Sequence, residues 1–245
     1  IPRRLDRVGI MSATATAMAA SADFEAPTRA DGLRELRAGW DMMRLAARTP
    51  ELLRAPRGDG RAVMVVPGLR ASDASLLPLR SFLGQCGHDV RLWGLGANTG
   101  DLDALLERTQ ESVLRLAEET GRAVNLVGWS LGGVYARETA RDQPDTVHRI
   151  ATFGTPLLGP RYTLGHAFFP EAELRRIETI IDERGQRPIE VPLTAMYSRN
   201  DGIVDWRTCP DRHTPGAVNV EVSSSHIGMG LDPTVWMHIA RWLSA

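Results

Sequence analysis

The sequence predicts an α/β domain built on a mostly parallel sheet of about six strands, with helices covering both faces. Three observations carry this. Short apolar runs recur along the chain without polar alternation, as strands buried on both faces require. Between them lie stretches with helical spacing, long enough to cross from one parallel strand to the next. Glycine and proline punctuate the joins. At 245 residues, 43% hydrophobic and 24% charged, the chain suits one such domain, which at this size buries a large core.

Taken in order, the patterns predict a strand over 61–66, a helix over 75–86, a strand over 89–93 and a long amphipathic helix over 102–119. The stripe of that helix is Leu102, Leu105, Leu106, Val113 and Leu116. A strand over 123–127 and a helix after Ser130 follow, then strands over 147–153, 191–197 and 217–222 and a closing helix over 233–243. Ahead of the sheet, residues 31–47 place Leu33, Leu36, Trp40 and Met43 on one helical face and Arg34, Glu35, Arg37 and Asp41 on others. That face is expected to pack on the body of the domain, with a membrane-surface or partner helix as the alternative. There is no internal repeat.

Residues 1–30 read as a disordered leader. Arg3, Arg4 and Arg7 precede a mildly apolar stretch ending in Ala20-Ser21-Ala22, but Ser12, Thr14 and Thr16 dilute the apolar run a secretory signal needs. A cytoplasmic protein is therefore expected over a secreted one, and Met11 is an alternative start. No run of about 20 apolar residues predicts a membrane span. The 29 Lys and Arg balance 30 Asp and Glu, a net charge of −1, so no basic footprint for nucleic acid appears. Cys86 and Cys209 are far apart, match no metal spacing and are expected to be unpaired thiols.

The chemistry centres on Gly128-Trp129-Ser130-Leu131-Gly132, between the 123–127 strand and the next helix. A serine on a tight strand-to-helix turn adopts a strained backbone, needs small residues two places either side, and offers its hydroxyl above the sheet. By chance roughly one chain in ten of this length holds the pentapeptide, so its companions decide. The 61–66 strand empties into Pro67-Gly68-Leu69-Arg70, where the Leu69 N–H could join that of Leu131 in an oxyanion hole. The 191–197 strand runs into Asn200-Asp201-Gly202, so Asp201 is the candidate acid ahead of Asp205. The last strand ends in Ser225-His226-Ile227. Of six histidines His226 is the candidate base, with His213 its rival.

With these placements the chain resembles the α/β-hydrolases of the esterase/lipase type. VVPGLRAS is similar to their oxyanion loop, GWSLGG to the nucleophile turn, YSRNDGIV to the acid loop, SSSHIGM to the histidine loop, and Phe153-Gly154-Thr155-Pro156 to a turn common in lipases. The resemblance covers about 61–245. It departs where Pro67-Gly68 replaces the usual His-Gly, and where two leading strands give way to the 31–47 stretch. It implies an α/β-hydrolase fold over 31–245 and the order Ser130, Asp201, His226 for nucleophile, acid and base. No metal or organic cofactor is implied.

Residues 157–190 form an insertion read as a small cap, with Tyr162, Leu164, Phe168 and Phe169 before a helix bearing Leu174, Ile177, Ile180 and Ile181. Trp129, Phe168, Phe169 and Ile227 are the candidate pocket for an acyl chain. The expected activity is hydrolysis of a small-molecule ester or lipid through an acyl-enzyme. A thioesterase, amidase or acyltransferase on the same triad is the alternative, as is a binding protein that keeps the pocket without catalysis. The sequence leaves the oligomeric state open.

Overall fold

The computed structural model describes residues 24–245, so most of the expected leader lies outside the described residues. The sheet has six parallel strands: β1 (Ala62–Val66), β2 (Asp89–Arg91), β3 (Val124–Trp129), β4 (Val147–Phe153), β5 (Leu193–Ser198) and β6 (Val218–Val222). Their order is β2-β1-β3-β4-β5-β6. The helices are α1 (Ala38–Ala47), α2 (Thr49–Leu52), α3 (Leu77–Gln85), α4 (Leu102–Thr120), α5 (Leu131–Asp142), α6 (Glu171–Gly185) and α7 (Pro233–Ser244).

The sheet is covered on both sides, which explains the unbroken apolar runs. Along β1, Val63 and Val65 join Leu79, Phe82, Leu83, Trp236 and Ile239 of α3 and α7. Ala62, Met64 and Val66, pointing the other way, join Leu105, Val113 and Leu116 of α4 and Tyr135 and Ala136 of α5. Alternate side chains thus feed two separate cores.

Local signals set the helix ends. Asp101 caps α4 by accepting from the Ala104 N–H, and Gly121 ends it at φ 64°, a left-handed conformation that glycine adopts without penalty. Asp232 caps α7 through the Thr234 N–H, with Pro233 in the first turn.

Strand order also locates the working end of the sheet. From β1 the chain crosses to β2 on one side, then returns to β3 on the other. Connections leaving β1 and β3 therefore diverge and open a crevice at their carboxyl ends, where ligands bind in open parallel sheets. The turns after Val66 and Trp129 both lie there.

One expectation is overturned. Residues 31–47 are helical, as a 3-10 stretch (Asp31–Arg37) followed by α1, but the apolar face looks outward. Leu33, Leu36, Trp40 and Met43 are 65%, 80%, 59% and 56% exposed, whereas Asp41 is 1% exposed. The reason is the surface being met: loops with free backbone N–H groups, which call for acceptors rather than methyl groups.

Residues 157–190 run beside the acid loop. Thr163 bridges to Val204, and the Leu164 and Asp205 N–H groups donate to Ile203 O and Tyr162 O at 2.8 and 2.9 Å. Leu174 and Ile177 of α6 are buried, while Arg184 ties it to Glu138 and Asp142 of α5. Among the described residues no helix is long and apolar enough to cross a membrane. Cys86 and Cys209 are buried and free.

Candidate active site

Ser130 stands between β3 and α5 at φ 53°, ψ −124°. It is one of two described non-glycine residues with positive φ, a conformation costing on the order of 1–3 kcal/mol that surrounding structure must enforce. Here the enforcement is the absence of side chains. A Cβ on Gly128 would lie 2.3 Å from Gly133 Cα, and one on Gly132 2.2 Å from Val66 O. The turn is stitched to β4 by the Ser130 N–H donating to Phe153 O at 2.9 Å.

The turn after β1 presses on this one. A Cβ on Gly68 would lie 3.2 Å from Ser130 Cβ, so the backbone of 68–69 approaches Ser130 closely. Neither the Leu69 nor the Leu131 N–H has a partner among the described residues. Backbone donors in a folded protein are rarely left without an acceptor, and two beside one hydroxyl suit a developing oxyanion.

Asn98, which no sequence pattern marks, holds this turn. It is fully buried. Its Nδ2 donates to Pro67 O at 2.9 Å, its carbonyl accepts from the Arg70 N–H and its own N–H donates to Ala71 O, both at 2.8 Å. The Tyr135 hydroxyl lies 3.4 Å from its Oδ1. Arg70 is the second positive-φ residue, at 62°.

Asp201 and His226 meet. The His226 Nδ1–H donates to Asp201 Oδ2 at 2.7 Å, with both residues almost wholly buried. Asp201 Oδ1 accepts from the Ile203 and Val204 N–H groups at 2.9 and 2.7 Å, fixing the carboxylate independently of the histidine. The imidazole lies against Trp129, with ring centroids 5.8 Å apart. It also lies over Gly154, where a Cβ would come within 3.0 Å of Cε1 and Nδ1. Burial pulls the His226 pKa down, but the charge and hydrogen bond of Asp201, with the charge of Glu35, outweigh it and leave the pKa above its ordinary value. Among the described residues Ser130 and His226 are not hydrogen-bonded to each other.

The other candidates separate cleanly. His213 is exposed, and its backbone N–H bonds Asp211. His148, His166 and His238 contact Asn125, the Thr163 carbonyl and Thr194 respectively, and His88 is buried without a side-chain partner. Asp205 caps a short turn and pairs with Arg207 at 2.9 Å. Gly202 has a role beyond its turn: a Cβ there would meet Asp31 O at 2.4 Å.

Of the pocket candidates, Trp129 also stacks on Phe153, with centroids 6.4 Å apart. Phe168 lies under the Arg70 guanidinium at 5.0 Å, next to the Leu69 turn. Phe169 is half-buried, and Ile227 is 45% exposed beside His226. Two surface hollows of about 300 and 280 Å³ lie elsewhere, the first by Arg61 and Arg149, the second by Trp93 and Arg115. No cluster of three or more His, Cys, Asp or Glu side chains able to hold a metal occurs among the described residues.

No protein-family model matches the chain, and no curated protein matches it in sequence. Solved structures do. Aspergillus fumigatus lipase B is 18% identical over 76% of this chain at a TM-score of 0.59; the match spans 52% of that lipase, so this chain corresponds to about half of it. Bacillus licheniformis lipase BlEst2 in its mature form is 13% identical over 78% of this chain and 95% of its own, at 0.60. The type II thioesterase BorB from the borrelidin biosynthetic cluster is 15% identical over 78% and 94%, at 0.54. At these identities the likeness speaks for the fold, and the fold it gives this chain is that of the α/β-hydrolases.

Proposed function

We propose that the protein is a serine hydrolase that cleaves a carboxylic ester through an acyl-enzyme, with Ser130 as nucleophile, His226 as general base and Asp201 as its orienting acid. One observation carries the reading. Among the described residues only His226 binds a carboxylate through its ring, and that ring rests against Trp129, the residue before a serine held at positive φ.

The roles follow from the geometry. Asp201 accepts from Nδ1, so the neutral ring leaves Nε2 free to take the Ser130 proton as the hydroxyl oxygen attacks the carbonyl carbon. The carbonyl oxygen gains the charge, and the Leu69 and Leu131 N–H groups receive it; losing one such donor costs about 3 kcal/mol of transition-state stabilisation. The protonated ring then passes its proton to the leaving alcohol. Water, deprotonated by His226, attacks the acyl-enzyme and releases the acid and Ser130. Residues 157–190 serve as a cap, and Phe168 and Phe169 with Trp129 and Ile227 supply apolar surface for the acyl group.

Purified protein and its Ser130→Ala variant, given p-nitrophenyl esters of rising chain length, test this. The wild type should release nitrophenol and be labelled at Ser130 by a fluorophosphonate. The variant should fall on the order of a millionfold, as when a serine triad loses its nucleophile. A thioester and an amide in the same panel separate the other chemistries open to this acyl-enzyme. A wild type that is both inert and unlabelled refutes the reading.

A further inference from the structure

The triad reading leaves one charged group near its centre without a role. Glu35, in the 3-10 stretch ahead of α1, reaches across to both loops that carry the acid and the base. Its Oε1 accepts from the Gly202 N–H and the His226 N–H, each at 3.0 Å, and its Oε2 from the Ile227 N–H at 2.8 Å. Gly202 directly follows Asp201, and His226 is the base itself. A single carboxylate therefore fixes the main chain on both sides of the Asp201–His226 bond.

The neighbouring contacts are built to match. Asp41 faces the same loop and accepts from the Ser225 N–H at 3.3 Å, with Arg44 at 3.6 Å from its other oxygen. Glycine makes both approaches possible: a Cβ on Gly202 would lie 3.1 Å from Glu35 Oε1, and one on Gly228 2.0 Å from Asp41 Oδ2. Asn200 adds a direct tie between the loops, its Nδ2 donating to Ser223 O at 2.8 Å.

We propose that Glu35 is a positioning residue of the hydrolytic reaction, its carboxylate locking the acid and histidine loops in the register that aims the His226 ring at Ser130. The inference rests on the triad reading above. Glu35 touches neither substrate nor reacting atoms; it acts through the backbone of the residues that do. The chemistry calls for a carboxylate. Three N–H donors converge on it, and only an acceptor-only group with two oxygens can meet all three; a glutamine would turn an NH2 toward one of them.

The charge gives a second signature. The groups facing His226 are Asp201 from the acid loop and Glu35 from the N-terminal stretch, with uncharged Trp129 at the end of β3 and Gly154 just after β4. Asp41, countered by Arg44, stands behind Ser225. Both Asp201 and Glu35 favour the protonated ring, so removing the Glu35 charge moves the acid limb of the rate profile to lower pH.

The test uses the full chain as wild type, Glu35→Gln, Glu35→Ala and Leu36→Ala, the last being an 80% exposed neighbour. Turnover of p-nitrophenyl butyrate is followed across pH alongside fluorophosphonate labelling. Both Glu35 variants should lose roughly 10- to 100-fold in kcat, the scale of a misaimed catalytic group, with KM nearly unchanged and labelling slowed. Glu35→Gln should also shift the acid limb downward, and Leu36→Ala should match the wild type. If Glu35→Ala does not fold, the near-isosteric Glu35→Gln decides.

A Glu35→Gln protein with wild-type kcat and an unmoved acid limb overturns the proposal while leaving the hydrolase reading intact. So does a loss that appears in KM rather than kcat. An unlabelled, inactive wild type removes the hydrolase reading, and this proposal with it.

Discussion

Replacing Asp201 by Asn probes the site most sharply, because the two carboxylate oxygens have separate duties. Oδ1 accepts from the Ile203 and Val204 N–H groups, and Oδ2 accepts from His226 Nδ1. An asparagine of the same shape keeps its oxygen on the two backbone donors and turns its NH2 toward the histidine. Nδ1 must then become the acceptor, the ring proton moves to Nε2, and Nε2 can no longer take a proton from Ser130. A serine triad with this wrong tautomer loses about 10⁴ in kcat, or about 5 kcal/mol at 1.36 kcal/mol per tenfold.

The fold should hardly notice, since both backbone bonds survive. The change costs about 1 kcal/mol, a Tm shift of roughly 2–4 °C for a domain of this size. Ester turnover and a thermal melt on the same sample measure the two effects together. The opposite pattern, near-full activity with a large drop in Tm, would mean that the amide had flipped to serve the histidine. Retention of both would show that Asp201 does not orient the base.

Three further outcomes are expected. If His226 is the neutral base proposed above, its pKa, which burial lowers but Asp201 and Glu35 raise above 6.5, means that kcat/KM should rise through a midpoint above that value. The same shift makes His226 stabilise the fold below the unfolded pKa, a contribution lost as pH rises through the folded one; kinetics and melts across that range check both signs. Gly132→Ala would place a Cβ 2.2 Å from Val66 O, so it should abolish activity and give little folded protein by circular dichroism. Arg137 and Asp211 form a buried pair at 2.7 Å, and neither is hydrogen-bonded to Ser130, Asp201 or His226. Asp211→Ala should cost about 3–5 kcal/mol in denaturant unfolding by stranding the arginine, with the remaining folded protein still active.

The sheet was legible to within a residue or two of most strand ends because two-sided burial leaves a strong mark. The 61–66 run is β1 at Ala62–Val66, the 147–153 run is β4 with the same bounds, and the 217–222 run is β6 at Val218–Val222. Chain order and strand-end placement single out Ser130, Asp201 and His226, and of these the structure brings Asp201 and His226 together at 2.7 Å. The misreading of 31–47 has a definite cause. Helical periodicity shows that a stripe exists but not which side faces inward, and here the neighbours are loop N–H groups, so Glu35 and Asp41 turn in while Leu36 and Trp40 turn out. Asn98 left no signal either. It sits among Gly94, Gly96 and Gly100 with no period around it, and its importance comes from three bonds to a turn about thirty residues earlier in the chain.

The outward-facing apolar stripe also bears on how the molecule comes apart. Residues 31–43 meet the body mainly through hydrogen bonds, so their detachment uncovers little apolar area. A step of that kind depends only weakly on denaturant and belongs to the low-energy local openings seen by hydrogen exchange. The strands, buried between two cores, open only when the whole domain does. The aim of the histidine and the integrity of the sheet are thus governed by two equilibria, and the first can fail while the second holds.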